Sequence, residues 1–270
     1  MLKGYSIKLE KALVPMARGS TSSKVLKMAF DLSKSFSTEI TAFTVRDVRR
    51  ELTWTDKVNL ITDAYRLGRE LNVRVVPKIV SSESTKESIV NEVNSHRYDV
   101  IIMATTRRSP LSASLFGNMG DYVFKHSKAA VAMLSIKTPA YPYRSIIVPV
   151  SEELNHRFSV AFSLHLKRAL NRRMSILDLR KYDKKPTHRF KSLFDSFTWL
   201  VDTYGDDISL NRTGYRNGLL IDLAGMSDAG ANDLMVLGIA VSPSGSLRIN
   251  SKVKYLVKHF PGDVIVIKRG

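Results

Sequence analysis

The chain contains no cysteine among its 270 residues. Disulfide scaffolds and metal sites built from thiolates are therefore excluded. The first eleven residues, MLKGYSIKLEK, also lack the apolar segment that a secretory signal peptide requires. These two absences favour a cytoplasmic protein.

Long apolar runs are also missing. The longest, Leu234–Val241, is interrupted only by Gly238. Because about 20 apolar residues are needed to cross a bilayer, no transmembrane helix is expected. The six histidines form no metal-binding motif, and no nucleophile–base arrangement is evident. We therefore expect a protein that is not an enzyme and holds no metal.

Acidic residues are scarce relative to basic ones, with 25 Asp and Glu against 42 Lys and Arg, which leaves a net charge of +17. The excess is +9 over residues 1–140 and +8 over residues 141–270, so it is not confined to a basic tail. A field of this sign favours anionic partners such as nucleotides, nucleic acid or the inner face of a membrane.

The chain contains an internal repeat. The recurring segments are ALVPM at 12–16 and IIVPV at 146–150, YDVIIMA at 98–104 and NDLMVLG at 232–238, and FKH at 124–126 and VKH at 257–259. The first two pairs are 134 residues apart and the third is 133 apart, which indicates duplication. We predict two domains, residues 1–137 (copy one) and 144–270 (copy two), joined by an extended connector, KTPAYPY.

Apolar patterning in copy one alternates between strand and helix. The predicted strands are 13–16, 40–45, 73–80, 100–104 and 130–134, and the predicted helices are one capped by Ser22 or Ser23, 55–71, 84–94 and one capped by Asn118. This alternation predicts a five-stranded parallel sheet covered by helices, and copy two repeats it with a weaker middle part.

The ordered motifs of both copies resemble the universal stress protein family in its tandem form. These motifs are a first strand ending in V-P, a fourth strand that begins with Asp, a helix ending in K-H, and a last apolar strand. The resemblance implies an α/β fold of the adenine-nucleotide α-hydrolase-like type. It also implies two domains packed as an internal pseudo-dimer, with homodimerisation as a further possibility, and a stress-response role.

ATP-binding members of that family carry an Asp after the first strand and a glycine motif, GxxGxxxxxxxxxG[ST], after the fourth. In copy one the matching residues are Ala17, Ala104, Arg107, Gly117 and Asn118. Arg107 has two open interpretations, since it would either obstruct a phosphate or bind it. The candidate ligand-binding residues of copy one are Met16, Ala17, Val45, Thr105, Thr106, Arg107, Gly117 and Asn118.

Copy two departs from the motif differently. It has Ser151 at the Asp position, keeps Gly238 and Ser251 as candidate ligand contacts, and carries Val241 and Asn250 where glycines are expected. We therefore expect ATP or another adenine nucleotide, if it binds, to bind copy one and not copy two.

Two basic runs remain outside that motif. One extends from Arg180 to Lys191, and the other contains Arg46, Arg49 and Arg50. They suit an anionic partner, but no aromatic series accompanies them, so sequence-specific nucleic-acid binding is not expected.

Three functions stay open at this point. The first is a non-enzymatic stress or regulatory module that binds a nucleotide or other anion in copy one. The second is a cytosolic regulatory domain of a membrane transporter, or a partner of one, at the inner face of the membrane. The third is a weak enzyme acting on ATP.

Overall fold

The computed structural model describes most of the chain. The described residues are 7–17, 19–49, 54–106, 115–151, 154–179, 187, 191–192, 195–199, 202, 207–212, 233–239 and 249–269. They divide into two compact units, 8–134 and 135–269. Of the basic run from Arg180 to Lys191, residues 180–186 and 188–190 lie outside the described residues, as does the loop that contains Val241.

The described residues of copy one form an α/β unit with five strands and four helices. Its strands are β1 (Lys11–Pro15), β2 (Glu39–Asp47), β3 (Val75–Ser82), β4 (Val100–Thr106) and β5 (Ala130–Ile136). Its helices are α1 (Ser20–Phe36), α2 (Trp54–Glu70), α3 (Thr85–Ser95) and α4 (Gly117–His126). The strand order is β3-β2-β1-β4-β5, and β1 runs parallel to both β2 and β4.

Copy two has the same order of strands. Its described elements are β6 (Ser145–Val150), α5 (Arg157–Leu170), β7 (Arg173–Asp178), β8 (Ile208–Arg212), β9 (Leu234–Ile239), α6 (Ser251–His259) and β10 (Asp263–Lys268). The order β8-β7-β6-β9-β10 matches that of copy one strand by strand. Val14 and Val148 therefore occupy equivalent places in the two sheets, which confirms the duplicated parallel fold.

The core lies on both faces of each sheet, because helices cover them. The central strand β4 is buried from Val100 to Met103, and its counterpart β9 is buried throughout. Strands covered on both faces are continuously apolar instead of alternating, and both of these strands show that pattern.

An aspartate before each central strand joins it to the neighbouring strand. Asp99 Oδ2 accepts hydrogen bonds from the backbone N–H groups of Glu10 (2.7 Å) and Lys11 (2.9 Å). In copy two, Asp233 accepts a bidentate pair from Arg144 and a bond from Ser145 Oγ at 2.9 Å. The repeated Asp therefore has a structural role at the amino edge of each sheet.

The connector between the copies is hydrogen-bonded to copy two. The buried carboxylate of Asp263 accepts from the backbone N–H groups of Lys137 (2.8 Å) and Thr138 (3.2 Å) and from the Tyr143 hydroxyl (2.9 Å). The ammonium of Lys137 also donates to the carbonyl of Phe260. These contacts explain why Tyr143 is only 1% exposed.

Candidate nucleotide and anion site

In both copies the first and fourth strands separate near their carboxyl ends. Strands β1 and β4 are in register at Leu13 and Ile101, and β6 and β9 at Ile147 and Met235. Beyond these residues the two strands of each pair diverge. The connection after the first strand leads to a neighbour on one side, and the connection after the fourth strand leads to a neighbour on the other side. Open parallel sheets bind ligands at such a switch point.

At the end of β1 the backbone is held by neighbouring residues of copy one. The N–H of Met16 donates to Phe43 O at 2.7 Å, and its carbonyl accepts from Thr44 Oγ1 at 3.1 Å. The next residue, Ala17, is exposed and its N–H donates to Ser22 Oγ at 3.0 Å. Ala17 offers no side-chain acceptor at the position where the family motif has Asp.

Helix α1 corrects the predicted cap. It begins at Ser20 after Gly19, not at Ser22 or Ser23, and no side chain caps it. Ser22 lies within the helix, where its hydroxyl accepts from Ala17. Val45, near the end of β2, is buried and 5% exposed.

The end of β4 is linked to the start of α4. Thr105 Oγ1 donates to Phe116 O at 3.0 Å, and Phe116 N donates to Asp121 Oδ1 at 3.0 Å. The prediction that Asn118 caps this helix is wrong, because the N-cap is Phe116, without a side-chain cap, and Asn118 is an exposed residue of the first turn. Thr105 and Asn118 therefore lie close to the same edge of the sheet.

Gly117 has the conformation that the candidate site requires. Its φ is +80°, in the region that favours glycine, and apart from its own chain neighbours and helix backbone no described atom lies within 4 Å of where a Cβ would stand. The chain therefore leaves open space beside the first residue of α4. Thr106 ends β4, and Arg107 lies outside the described residues.

In copy two, one side chain joins the strands that diverge. Asn155 Nδ2 donates to Pro149 O of β6 at 2.6 Å and to Val236 O of β9 at 3.0 Å, and Oδ1 accepts from the N–H of Gly238. Asn155 is 9% exposed and has φ +65°. Its carboxamide thus fills the switch point of copy two with intramolecular hydrogen bonds.

The space beside Gly238 is also occupied. A Cβ at this residue would overlap the side chain of Ser159 and stand 2.8 Å from His156 Nδ1. Ser159 Oγ in turn accepts from the N–H of His156 at 3.0 Å and so supports the start of α5. Gly238 is therefore in contact with α5 instead of leaving room for a ligand.

The copies also differ at their helix N-termini. In copy two, Asn250 Oδ1 accepts from Lys252 N at 2.9 Å and caps α6, and Ser251 is exposed beside it. In copy one the N-cap residues of α1 and α4, Gly19 and Phe116, supply no side-chain cap, although Asp121 Oδ1 accepts from the N–H of Phe116. The helix dipole favours an anion at these helix ends.

Sequence reasoning missed Asn155. Its counterpart 134 residues earlier is Thr21, which lies inside α1 and bridges no strands. Helix α5 begins at Arg157, three residues later than the equivalent position of α1. The signal that could have found it is Leu154-Asn155-His156, where Asn tolerates a positive φ before a helix start.

Among the described residues, no group of three or more His, Asp or Glu side chains is arranged to hold a metal ion. None of the helices described has both the length and the apolar composition needed to span a bilayer.

Comparisons with known proteins assign a family to copy one. The model of the universal stress protein family matches residues 8–135. A comparison with curated proteins finds no match.

Solved structures extend the likeness to the whole chain. A universal stress protein from Archaeoglobus fulgidus has 15% identity and a TM-score of 0.61, with 98% of this chain and 100% of that chain covered. A functionally unknown protein from Pseudomonas aeruginosa has 15% identity and a TM-score of 0.66, with 99% and 94% covered. The cytoplasmic domain of a prokaryotic cation chloride cotransporter has 10% identity and a TM-score of 0.64, with 96% and 95% covered.

These structural likenesses show the fold of both copies, and the family match identifies residues 8–135. Copy one is a domain of the universal stress protein family, and copy two repeats its fold.

Proposed function

We propose that the chain is a non-enzymatic regulatory module in which copy one binds an adenine nucleotide or another phosphate-bearing anion. The observation that carries this proposal is the contrast between the copies. The switch point of copy two is filled by Asn155, whereas no described side chain of copy one makes such a bridge. Copy one also keeps α1 and α4 without side-chain caps.

Chemistry at these helix starts suits a phosphate. The helix dipole favours negative charge at the start of α4, and Gly117 leaves room for the approach of a ligand. The first turns of α1 and α4 contain no acidic residue, although the carboxylate of Asp121 reaches the start of α4, where it accepts from the N–H of Phe116 at 3.0 Å. The net charge of +17 favours the same class of ligand at longer range.

A charge placed at Asn118 tests the proposal. Asn118→Asp adds a carboxylate at the start of α4, which repels a phosphate while interacting favourably with the helix dipole. The full chain is titrated calorimetrically with ATP, ADP and inorganic phosphate. We expect one site per chain and a loss of affinity of about tenfold or more in the variant, without lower stability.

Copy two provides the matched control. Ser251→Asp places the same charge at the first residue of α6 and should leave the affinity unchanged. Two sites per chain, an equal loss of affinity in both variants, or no binding of any of the three ligands would each contradict the proposal.

The two interpretations of Arg107 are separated in the same titration. If its guanidinium binds the anion, Arg107→Ala weakens binding about tenfold to a hundredfold. If it obstructs the phosphate, Arg107→Gly strengthens binding. Incubation with ATP should release no ADP above the buffer control, and steady turnover would support the enzyme alternative instead.

A second candidate function is regulation of a membrane transporter, either as its cytosolic domain or as a separate partner. The observation that favours it is the likeness to the cytoplasmic domain of the cation chloride cotransporter, which covers 96% of this chain. Fractionation of the producing cells, with and without a high-salt wash, tests it. Recovery with the membrane fraction supports the candidate, and recovery in the supernatant at low salt opposes it.

A further inference from the structure

The carboxyl end of β2 in copy one carries two large apolar side chains on the surface. Val48 is 49% exposed and Trp54, the first residue of α2, is 51% exposed. They lie at the two ends of one short connection between β2 and α2. Single apolar residues scattered over a protein surface need no explanation. Two such residues in one connection, with arginines beside them, instead indicate an interaction surface.

Arg46 supplies the charge beside the indole ring. Its guanidinium carbon lies 5.6 Å from the centroid of Trp54, which is within the range of a cation–π contact. Its Nε atom is buried and has no hydrogen-bond partner. Arg46 makes no ion pair with any residue that the structure describes.

The neighbouring arginine differs. Arg49 pairs with Asp47 at 3.1 Å and donates to Glu83 O at 2.7 Å. These bonds hold Val48 and Arg49 against the end of β3, where Val48 N also donates to Ser82 O at 3.3 Å. Arg46, Val48 and Trp54 together are called the Trp54 surface.

We propose that the Trp54 surface is where the protein contacts an anionic phospholipid bilayer. Tryptophan favours the membrane–water interface, since its ring is apolar and its N–H is polar. The guanidinium of Arg46 matches the phosphates and carboxylates of the headgroups, and Val48 adds aliphatic surface that reaches the acyl boundary. The net charge of +17 attracts the whole chain to such a surface.

The observations favour lipid over nucleic acid. Single-stranded RNA is held by a series of aromatic rings on which successive bases stack, and the Trp54 surface offers one ring. An exposed aliphatic side chain such as Val48 contributes little to base stacking but does contribute to burial in lipid. This contact is independent of nucleotide binding in copy one, so the two proposals can fail separately.

The chain suits a fluorescence test because it contains two tryptophans, Trp54 and Trp199. Both are about half exposed, so Trp199 is a matched control in copy two. Trp199→Phe leaves Trp54 as the reporter, and Trp54→Phe leaves Trp199. The full chain is mixed with vesicles of phosphatidylcholine alone or of phosphatidylcholine with phosphatidylserine.

With the anionic vesicles, we expect the emission of Trp54 to shift to the blue and to be quenched by brominated lipid, while that of Trp199 stays unchanged. Sedimentation should show that Trp54→Ala weakens partitioning about tenfold and Arg46→Ala about fivefold. Trp199→Ala should leave it unchanged.

Three results would overturn the proposal. These are unchanged emission from Trp54 at saturating anionic vesicles, equal losses of partitioning in Trp54→Ala and Trp199→Ala, and tighter binding of single-stranded RNA than of vesicles through the same residues. Circular dichroism melting of each variant establishes that a loss of partitioning does not reflect unfolding.

Discussion

The side-chain oxygen of Asn155 accepts a hydrogen bond from the backbone N–H of Gly238, 83 residues further along the chain. The amide nitrogen of the same side chain bonds to both diverging strands of copy two. Gly238 matches the first glycine of the ATP-binding motif of the family. Its N–H already has an intramolecular partner, so a phosphate at this position would have to compete with Asn155 for the N–H.

Asn155→Ala should therefore destabilise copy two. The change leaves three buried backbone groups without the partner they have now, and places Ala at a positive φ. We expect the free energy of unfolding to fall by about 3 kcal/mol in urea titrations.

Asn72→Ala is the matched control for the backbone term. Asn72 also has a positive φ, of 54°, but is exposed. We expect a loss of about 1 kcal/mol there, the cost of the left-handed conformation alone. Equal losses in the two variants would show that the bridge of Asn155 contributes nothing.

Gly238→Ala should be more costly than Gly117→Ala. A methyl group at Gly238 would overlap Ser159, which is fully buried and cannot move aside, so we expect a loss of about 3 kcal/mol or more. At Gly117 the methyl group meets no atom, and the positive φ alone costs about 1 kcal/mol. Thermal unfolding of both variants measures the difference, and the reverse order would contradict the close packing at Gly238.

Removal of one hydroxyl should weaken the connector. Tyr143→Phe takes a donor from the buried carboxylate of Asp263, whose two backbone bonds remain. We expect a loss of about 2 kcal/mol in the free energy of unfolding. Tyr65→Phe, at an exposed ring, should change it by less than about 0.5 kcal/mol. Similar losses in both variants would show that the hydrogen bond from Tyr143 to Asp263 does not stabilise the connector.

Stability should fall in alkaline solution partly because of Tyr98. Burial raises the pKa of this phenol to about 12 from its ordinary 10.0, and its hydroxyl donates to Glu92 at 2.8 Å. The unfolded chain loses the proton first, so stability that is present below pH 10 is lost as the pH rises towards 12. In Tyr98→Phe the free energy of unfolding should fall less steeply with pH, by a slope that corresponds to at most one proton.

Urea titrations at several pH values between 9 and 12 would show the change in slope, with Tyr65→Phe as the control. An unchanged slope in Tyr98→Phe would mean that this phenol titrates alike in the folded and unfolded chains.

The sequence predicted the strands well for two reasons. The apolar runs of copy one recur in copy two about 134 residues later, and central strands such as β4 are continuously apolar, which is typical of a buried parallel strand. Helix starts were less predictable. Ser22, Ser23 and Asn118 are all residues that cap helices, yet α1 and α4 begin at Ser20 and Gly117 without a side-chain cap. Hydroxyls and amides satisfy several local geometries, so residue type alone does not decide between a cap and a bond to a preceding loop.

The candidate site was predictable in its location but not in its asymmetry. The glycine motif placed Gly117 and Gly238 at the carboxyl edges of the sheets. The contact that closes copy two depends on Asn155 adopting a positive φ at a position where copy one is already helical, and no apolar period reveals that change. The two sites therefore had to be distinguished by their hydrogen bonds.

The bonds between the connector and Asp263 limit how copy two can be cut out of the chain. A polypeptide beginning at residue 144 would lose the N–H groups of Lys137 and Thr138 and the hydroxyl of Tyr143, which leaves a buried carboxylate without three of its donors. A fragment of copy two that keeps its stability must therefore begin before Lys137. A protease that cleaves between Lys137 and Tyr143 should release a copy two that unfolds at a lower temperature than a piece that keeps these seven residues.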